Sequence, residues 1–308
     1  MGANFLVSGN VPAIVTPFSP GGDLRIDAFA ELVCWHLAQG VDGLCVAGDN
    51  GESWSLSLYE RRQLAETTVK LVAGRVPVVM GASATTARQT IAYAETAAAA
   101  GVDALMIGPQ SYVMKATTAE LVQRMQAIHR AVPLPVVLYN SPRRTGISLT
   151  VDTMRAIVSA VNVVALKEAS RDFFYVSHIL HHFADELAVL VGPAPFILPG
   201  LQLGAAGFIS SGPELMGGLA SKLMGLAAAG PAPDLRTTQY QLTRVYETLM
   251  GLGTWPSALK AGHALIGLDA GVPREPVLPL DPAATATLRS VLLECGGPVT
   301  QPQAMAAE

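Results

Sequence analysis

A recurring glycine junction limits the folds open to this chain more than any other feature. Residues 39–46 read QGVDGLCV, residues 100–107 read AGVDALMI, and residues 203–210 are a weaker version, LGAAGFIS. Each copy carries near its start a glycine suited to the end of a helix, and then runs into a short apolar strand. Repetition of helix, glycine and buried strand predicts a parallel sheet that is covered by helices on both faces.

Apolar runs between these junctions complete a set of eight candidate strands. Segments with helical periodicity separate them, as at residues 58–72, 117–131 and 151–161. Eight such units predict an α/β fold of the (β/α)8 TIM barrel type, and the absence of a G-x-G-x-x-G motif after the first strand disfavours a dinucleotide-binding sheet. The other five predicted strands are residues 11–18, 76–82, 135–140, 163–167 and 187–192.

The sequence GPAP at residues 230–233 predicts a break after the eighth unit. We therefore expect residues 1–230 to form the barrel, with any active site at the carboxyl ends of its strands. Residues 231–308 are expected to form a C-terminal helical extension packed on the barrel, because residues 235–250 and 256–268 have helical patterns.

Composition excludes several classes of function. Half of the 308 residues are hydrophobic and 14% are charged, which provides a large core. The net charge of −4 offers no attraction for nucleic acid or an anionic membrane. Three scattered cysteines, no signal-peptide pattern and no apolar run of about 18 residues predict a cytoplasmic protein without a membrane partner.

Lys167 is the residue whose position most clearly predicts chemistry. It ends the apolar run VNVVALK, so its amine is expected at the carboxyl end of a buried strand. Burial without a partner lowers the pKa of a lysine and makes the amine nucleophilic. The alternative is a buried ion pair with Glu168 or Glu52. The chain's other lysines, which we expect to be solvated, are Lys70, Lys115, Lys222 and Lys260.

Tyr139 and Arg144 follow on the neighbouring strand and its loop. A neutral lysine amine condenses with a ketone or aldehyde to give a Schiff base, and a nearby tyrosine hydroxyl can carry the protons. The alternative for Tyr139 is a packed ring whose hydroxyl bonds a carbonyl. The Arg144 guanidinium suits a substrate carboxylate, although most arginines simply lie at the surface. His181 and His182 have no third ligand at metal spacing, so no metal site is predicted.

The strand ends, taken in order, resemble the dihydrodipicolinate synthase/N-acetylneuraminate lyase family of class I aldolases. The similarity covers residues 10–285. The matching pieces are Gly48-x-x-Gly51-Glu52-Ser53, Tyr139-Asn140-x-Pro142-x-Arg144-Thr145-Gly146, Lys167-Glu168-Ala169-Ser170, Gly207-x-Ile209-Ser210 and Gly271-Val272-Pro273-Arg274-x-Pro276.

The resemblance implies roles for these residues. Lys167 would be the Schiff-base lysine and Tyr139 the proton-handling tyrosine. Asp49 and Asn50, with the backbone near Ile209, would bind the carboxylate end of pyruvate or another 2-oxo acid. The family is usually a homotetramer, a dimer of dimers, and needs no metal or organic cofactor.

Two departures from the family separate this chain from its synthases. Asp49 and Asn50 stand where the family usually has a hydroxyl pair or a Ser/Thr-Asn pair, and an ionised aspartate neither donates a proton nor suits an anionic substrate. The synthases also have paired tyrosines after strand four. Here Tyr112 stands alone, as a candidate for the proton relay or for a subunit contact. Arg144 agrees with the synthases, which use an arginine there for the aldehyde's carboxylate.

These observations predict a lyase that forms a Schiff base with pyruvate or a related 2-oxo acid. It would either condense that acid with an aldehyde, or cleave or dehydrate a 2-keto-3-deoxy acid. Three alternatives stay open at this point. They are a catalytically silent regulatory barrel that binds a 2-oxo acid, an orthodox 4-hydroxy-tetrahydrodipicolinate synthase, and a pyridoxal-phosphate enzyme, for which no glycine-rich phosphate cup is evident.

Overall fold

Eight parallel strands alternate with helices along the chain, and the structure, a computed structural model, describes residues 6–230 and 233–300. The strands form one sheet in which each pairs with its neighbours in parallel. They are β1 (Gly9–Asn10), β2 (Leu44–Val46), β3 (Val78–Gly81), β4 (Ala104–Ile107), β5 (Val136–Asn140), β6 (Val163–Glu168), β7 (Ala188–Val191) and β8 (Gly207–Phe208).

The sheet order is β1-β8-β7-β6-β5-β4-β3-β2, and the two outer strands meet. Ala13, just after β1, bridges Cys45 on β2, which brings the ends of the sheet together. The predicted TIM barrel is confirmed. The helices are α1 (Ile26–Ala38), α2 (Leu58–Val72), α3 (Ala87–Ala100), α4 (Thr118–Ala131), α5 (Pro142–Thr145), α6 (Val151–Ala160), α7 (Phe173–Phe183), α8 (Ile197–Gln202), α9 (Leu219–Ala229), α10 (Pro233–Gly251), α11 (Ser257–Leu265) and α12 (Pro282–Glu294).

The junction glycines end the helices as the repeats predict. Gly40, Gly101 and Gly204 all have positive φ, at 68°, 84° and 99°. A residue without a Cβ adopts this left-handed conformation at no steric cost, and it turns the chain out of the helix and into the next strand.

The prediction for the first strand was wrong in its position. The regular pairing lies at Gly9–Asn10, whereas residues 11–18 contribute only isolated bridges at Ala13 and Phe18. Pro12 and Pro17 fall in this segment. Neither has an N–H to donate, so a continuous ladder of hydrogen bonds cannot form there.

Alternation along the strands separates two layers of core. The inside of the barrel is filled by a cluster that includes Cys45, Val137 and Ala165, whereas Leu138 and Leu166 belong to the larger core beneath the helices. Side chains two residues apart share a face of a strand. Tyr139 and Lys167 therefore point inward, as the next inward positions after Val137 and Ala165.

The C-terminal helices form an additional layer. Helix α10 packs against α9 and α12, and α11 also packs against α12. The predicted boundary lies between residues 230 and 231. Residues 231–232 lie outside the described residues, so the division at that point stays a prediction. Among the helices that the structure describes, none has the length and apolar character needed to cross a bilayer.

A buried ion pair fastens this extension to the barrel. Lys260 Nζ on α11 lies 2.5 Å from Glu52 Oε1, on the loop after β2, and both side chains are almost fully buried. Lys260 also donates to the Val272 carbonyl at 2.7 Å, and the Arg274 N–H donates to the other oxygen of Glu52 at 2.9 Å. The expectation that Lys260 is solvated was wrong, because Glu52 compensates for its burial.

Replacing Lys260 with methionine should lower the free energy of unfolding by about 3–5 kcal/mol, because the Glu52 carboxylate would stay buried without its partner. Chemical denaturation of the variant measures the loss. Lys222→Met, at an exposed position of α9, is the matched control. Adding Glu52→Gln to Lys260→Met should restore part of the stability. A Lys260 variant as stable as the Lys222 variant would contradict this account.

Candidate active site

A cavity of about 300 Å³ opens at the carboxyl ends of the barrel strands, where the sequence places the candidate site residues. Its lining includes five of the predicted residues together with Lys167: Asp49, Asn50, Tyr139, Arg144 and Ile209. The predicted positions therefore lie around one space. We call it the main cavity.

Lys167 and Tyr139 are paired by the register of the sheet. They lie opposite one another on the neighbouring strands β5 and β6. The Lys167 Nζ atom is 4.5 Å from the centre of the Tyr139 ring. The amine and the phenol therefore form one unit, held by two adjacent strands instead of by flexible loops.

The environment of Lys167 favours its neutral form. Its side chain is buried, and this loss of solvation lowers the pKa of the amine. Cys45, Asp49 and Glu214 act in the opposite direction when they are ionised. Within residues 6–230 and 233–300, no carboxylate oxygen lies within 4 Å of Lys167 Nζ, so it has no ion-pair partner there.

The ion-pair alternative for Lys167 is wrong for both glutamates. Glu52 binds Lys260 instead. Glu168 directly follows Lys167 on β6, so it points to the opposite face of the sheet. There it accepts hydrogen bonds from Asn140 Nδ2 at 2.6 Å and from the Ser170 N–H at 2.5 Å.

Tyr139 retains its phenolic proton over a wide pH range. Burial raises the pKa of its hydroxyl, and the negative charge of Asp49 raises it further. A hydrogen bond with Ser141 acts against these two effects. A protonated phenol beside a lysine amine can donate a proton to a leaving oxygen and later accept one back.

Asp49 and Arg144, both predicted to bind substrate, bind each other. Arg144 Nε, on the short helix α5 after β5, donates to Asp49 Oδ2, on the loop after β2, at 2.7 Å. The pair cancels the negative charge that made Asp49 unsuitable beside an anion. It also engages the Nε atom of the guanidinium group predicted to hold a substrate carboxylate.

Asn50 and Ile209 are held by the framework of the barrel. Asn50 Nδ2 donates to the Ala13 carbonyl at 2.9 Å, and Ser211 Oγ donates to Asn50 Oδ1 at 3.2 Å. The Ile209 N–H donates to the Val191 carbonyl at 3.1 Å. These contacts join the ends of the first, second, seventh and eighth strands, and so fix this wall of the cavity.

Tyr112 does not join the other site residues. Its side chain is 91% exposed and it is absent from the lining of the main cavity. Its backbone is left-handed, with φ of 71°. Its two predicted roles, in a proton relay or in a subunit contact, therefore both stay predictions.

A second space adjoins the first. This side cavity of about 350 Å³ shares Asp49, Tyr139 and Arg144 with the main cavity, and also reaches Trp54 and Gln89. The Asp49–Arg144 pair therefore lies between the two spaces. A change in that pair would alter the shape of both.

Sequence reasoning missed four residues. Arg171, Tyr246 and Trp255 line the main cavity, and Glu214 is buried just beyond β8. Arg171 and Glu214 each follow a strand end by only a few residues, so a longer search past those ends would have found them. Tyr246 and Trp255 come from the C-terminal extension, and only long-range packing brings them to the site.

Glu214 is a buried acid near the lysine. Neither of its carboxyl oxygens makes a hydrogen bond of normal geometry within the described part of the chain. Burial raises the pKa of this carboxyl to about 8, although backbone N–H groups and Lys167 act to lower it. At neutral pH it is therefore a protonated acid, and its ionisation adds a negative charge near Lys167.

The protonated state of Glu214 should make stability depend on pH. The folded chain keeps this proton up to about pH 8, whereas the carboxyl's ordinary pKa is 4.5. Stability therefore falls between these values as pH rises, by at most about 1.4 kcal/mol per pH unit. Chemical denaturation from pH 4.5 to 8 should show wild type losing stability relative to Glu214→Gln, which cannot ionise.

Glu31→Gln, at an exposed carboxyl of α1, is the control for the loss of one acidic group. It should not reproduce the pH-dependent difference shown by Glu214→Gln. A difference between wild type and Glu214→Gln that stays constant with pH would contradict the assigned ionisation state.

Comparisons with known proteins identify the family. The model of the dihydrodipicolinate synthetase family matches residues 6–294. The chain is 34% identical over 297 residues to 4-hydroxy-tetrahydrodipicolinate synthase from Exiguobacterium sibiricum, covering 96% of this chain and all of that protein. It is 31% identical to an uncharacterized DapA-like lyase from Rhizobium meliloti, covering 92% and 95%.

A solved structure gives the same result. YagE from E. coli K12, a prophage protein of the dihydrodipicolinic acid synthase family solved in complex with pyruvate, superposes with a TM-score of 0.88. The identity is 26%, with 94% of this chain and 99% of that chain covered. The chain therefore belongs to the dihydrodipicolinate synthetase family and is a lyase of the aldolase type.

Proposed function

We propose that this lyase acts through a Schiff base between Lys167 and pyruvate or a related 2-oxo acid. One observation carries the proposal: a buried amine without an ion-pair partner in the described residues lies 4.5 Å from the ring of Tyr139, at the edge of a cavity. Burial lowers the pKa of this amine, and only the neutral amine attacks a carbonyl. The pyruvate bound to YagE gives further support for the choice of acid.

The chemistry follows from the two side chains. The Lys167 nitrogen attacks C2 of the 2-oxo acid, and the carbonyl oxygen takes up a proton to give a carbinolamine. A second proton on that oxygen releases water and leaves the iminium. Loss of a proton from C3 then gives an enamine, whose C3 adds to an aldehyde, and hydrolysis frees the product. Tyr139 carries the protons to and from the substrate.

Cleavage of a 2-keto-3-deoxy acid uses the same steps in reverse. The iminium accepts the electron pair of the breaking C3–C4 bond. In dehydration, the iminium of the 2-keto-3-deoxy acid itself loses a proton from C3, and the resulting enamine expels the C4 hydroxyl group, which takes up a proton and leaves as water. One lysine and one proton carrier therefore serve condensation, cleavage and dehydration, and the second substrate decides which reaction is observed.

The carboxylate of the 2-oxo acid is proposed to lie against the turn of Asp49 and Asn50 and the backbone near Ile209. These residues line the same wall of the main cavity. Arg144 neutralises Asp49 in the free protein, which removes the repulsion that an isolated aspartate would exert. Asp49 is then available to accept a hydrogen bond from a hydroxyl group of the second substrate.

The second substrate is proposed to differ from that of the synthases. In the synthases, an arginine at the position of Arg144 serves the carboxylate of the aldehyde. In this chain the guanidinium already has a carboxylate partner, Asp49. A substrate carboxylate at Arg144 would have to share the guanidinium with Asp49, so the pair disfavours the orthodox reaction.

We also propose a homotetramer, a dimer of dimers, located in the cytoplasm. Tyr112, Val113 and Met114 form an exposed apolar run, a feature typical of a subunit contact. The free thiols of Cys34, Cys45 and Cys295 suit a reducing compartment.

Sedimentation equilibrium should give the tetramer mass for wild type and a smaller species for Tyr112→Asp. A monomeric wild type would contradict the assembly.

Treatment with pyruvate and borohydride should place a reduced pyruvyl adduct on Lys167. Intact-mass and peptide-mass measurements detect and locate the adduct. Lys167→Ala should lose it, because no amine would remain at this position. Lys222→Ala, at an exposed lysine, should keep it. An adduct that persists in Lys167→Ala would refute the assigned lysine.

Tyr139→Phe separates catalysis from binding. The variant keeps the ring beside Lys167 but loses the proton carrier, so adduct formation should slow by about 10²–10⁴-fold.

Exchange of the pyruvate methyl protons with solvent, followed by NMR, tests turnover to the enamine. Wild type that forms the adduct without exchange would favour the silent 2-oxo-acid-binding barrel over the lyase.

A further inference from the structure

Glu214 is a buried acid that lies just outside the lining of the main cavity. Ser211, three residues earlier, lines that cavity together with Lys167, and three residues span at most about 11 Å. Within the described part of the chain, both carboxyl oxygens of Glu214 are shielded from solvent and neither makes a hydrogen bond of normal geometry. A carboxyl group in such a place is tolerated in its neutral form, because ionisation would bury an unpaired charge.

Two helices of the C-terminal extension hold Glu214 in this position. Gly212, with φ of 103°, turns the chain after β8 and lies against Leu249 of α10. Leu215 lies against Gly262 of α11. The carboxyl group is therefore fixed between the end of a barrel strand and the extension, where water does not reach it.

The ionisable groups that these helices turn inward do not neutralise Glu214. Lys260 already has a carboxylate partner. Burial lowers the pKa of His263 to about 4 and raises the pKa of the Tyr246 hydroxyl, so both are neutral at neutral pH. Helix α9, which also packs against this turn, has no inward ionisable group. Among the described residues, the cation that acts on Glu214 is Lys167.

Lys167 needs such an acid once it reacts, because an iminium places a permanent positive charge on a buried nitrogen. The acids that act on this nitrogen are Cys45, Asp49 and Glu214. Asp49 is already bound by Arg144. Burial raises the pKa of the Cys45 thiol and keeps it protonated. Glu214 is therefore the acid that is free to balance the new charge.

We propose that Glu214 supplies the proton consumed when Lys167 forms its iminium, and that the resulting carboxylate balances the iminium charge. The inference rests on the proposed Schiff base at Lys167, and it deepens that function by naming its proton donor and counter-charge. Glu214 acts through the Lys167 nitrogen and does not touch the substrate.

The bonds that form and break give the proton count. The nitrogen–C2 bond forms, the C2–oxygen bond breaks, and the oxygen leaves as water with two hydrogens. One of these comes from the neutral amine, which keeps its other hydrogen, and the second must be supplied as a proton. Tyr139 passes it on, and Glu214 is its source. When the iminium loses a proton from C3, the enamine is neutral and Glu214 takes a proton back.

Proton uptake during adduct formation tests this assignment. Saturating pyruvate is added at neutral pH in buffers of different ionisation enthalpy, and calorimetry gives the number of protons taken from solvent. Borohydride trapping and mass analysis give the amount of Lys167 adduct. Wild type should take up close to no protons per adduct. Glu214→Gln should take up about one, because the amine then draws its proton from solvent.

Glu214→Gln should also need about tenfold more pyruvate for half-saturation, since its iminium lacks a counter-charge. Glutamine has nearly the shape of a protonated glutamate, so misfolding is not expected. A purely structural role would change the half-saturation but leave the proton count unchanged. Glu214→Asp, which keeps a carboxyl group, should keep the count near zero, as should Glu31→Gln at an exposed position of α1.

Cys45→Ala separates the two acids near Lys167 that have no ion-pair partner in the described residues. It should leave the proton count near zero, because Glu214 remains. Uptake of about one proton in Cys45→Ala, with none in Glu214→Gln, would assign the proton to the thiol and overturn the role of Glu214.

The possible failures are distinct. Absence of any pyruvate adduct on Lys167 in wild type would refute the proposed function and, with it, this inference. Adducts in both wild type and Glu214→Gln with equal proton counts would refute only the role of Glu214. If Glu214→Gln forms no adduct, an adduct with near-zero uptake in Glu214→Asp would support the need for a carboxyl group, and no adduct in either variant would overturn it.

Discussion

The buried pair of Glu52 and Lys260 is the interaction on which the organisation of this site depends. It joins the loop after β2, which carries Asp49 and Asn50, to helix α11 of the extension. Each charge is fully desolvated, so neither is tolerable without the other. The Arg274 N–H binds the same carboxylate and adds a second link from the extension. The turn that lines the cavity is therefore held from outside the barrel.

Two buried lysines show how a partner decides the chemistry of an amine. Lys260 has a carboxylate at 2.5 Å and a carbonyl at 2.7 Å, and its role is structural. Lys167 is also buried, but its charged neighbours act only from beyond ion-pair distance. Burial lowers the pKa of both amines. Of the two, only Lys167 lies beside a phenol in an open cavity, where we propose that its amine meets a substrate.

The polar side chains around the cavity differ in the partners that they bind. Asp49 and Arg144 satisfy one another between the two cavities, and Asn50 is bonded to the framework. Arg171 lies against an aromatic ring of the extension. The barrel thus supplies the lysine and tyrosine that we propose to react, whereas the loops and the added helices supply charged groups around the cavity. This division agrees with a fold in which rigid strands position chemistry and variable loops determine specificity.

The sequence by itself determined the eight-stranded barrel and the pairing of Lys167 with Tyr139, because both depend on local signals. Junction glycines end helices, apolar runs form strands, and alternation along neighbouring strands places both side chains inside. The first strand was misplaced where Pro12 and Pro17 interrupt the hydrogen-bond ladder. Only the tertiary structure decided which charges meet: Glu52 with Lys260, Asp49 with Arg144, and Arg171 against Tyr246. These contacts join residues about 75 to 210 positions apart, so no local pattern records them, and a charge's partner and burial together decide whether it stabilises the fold or stays available for a substrate.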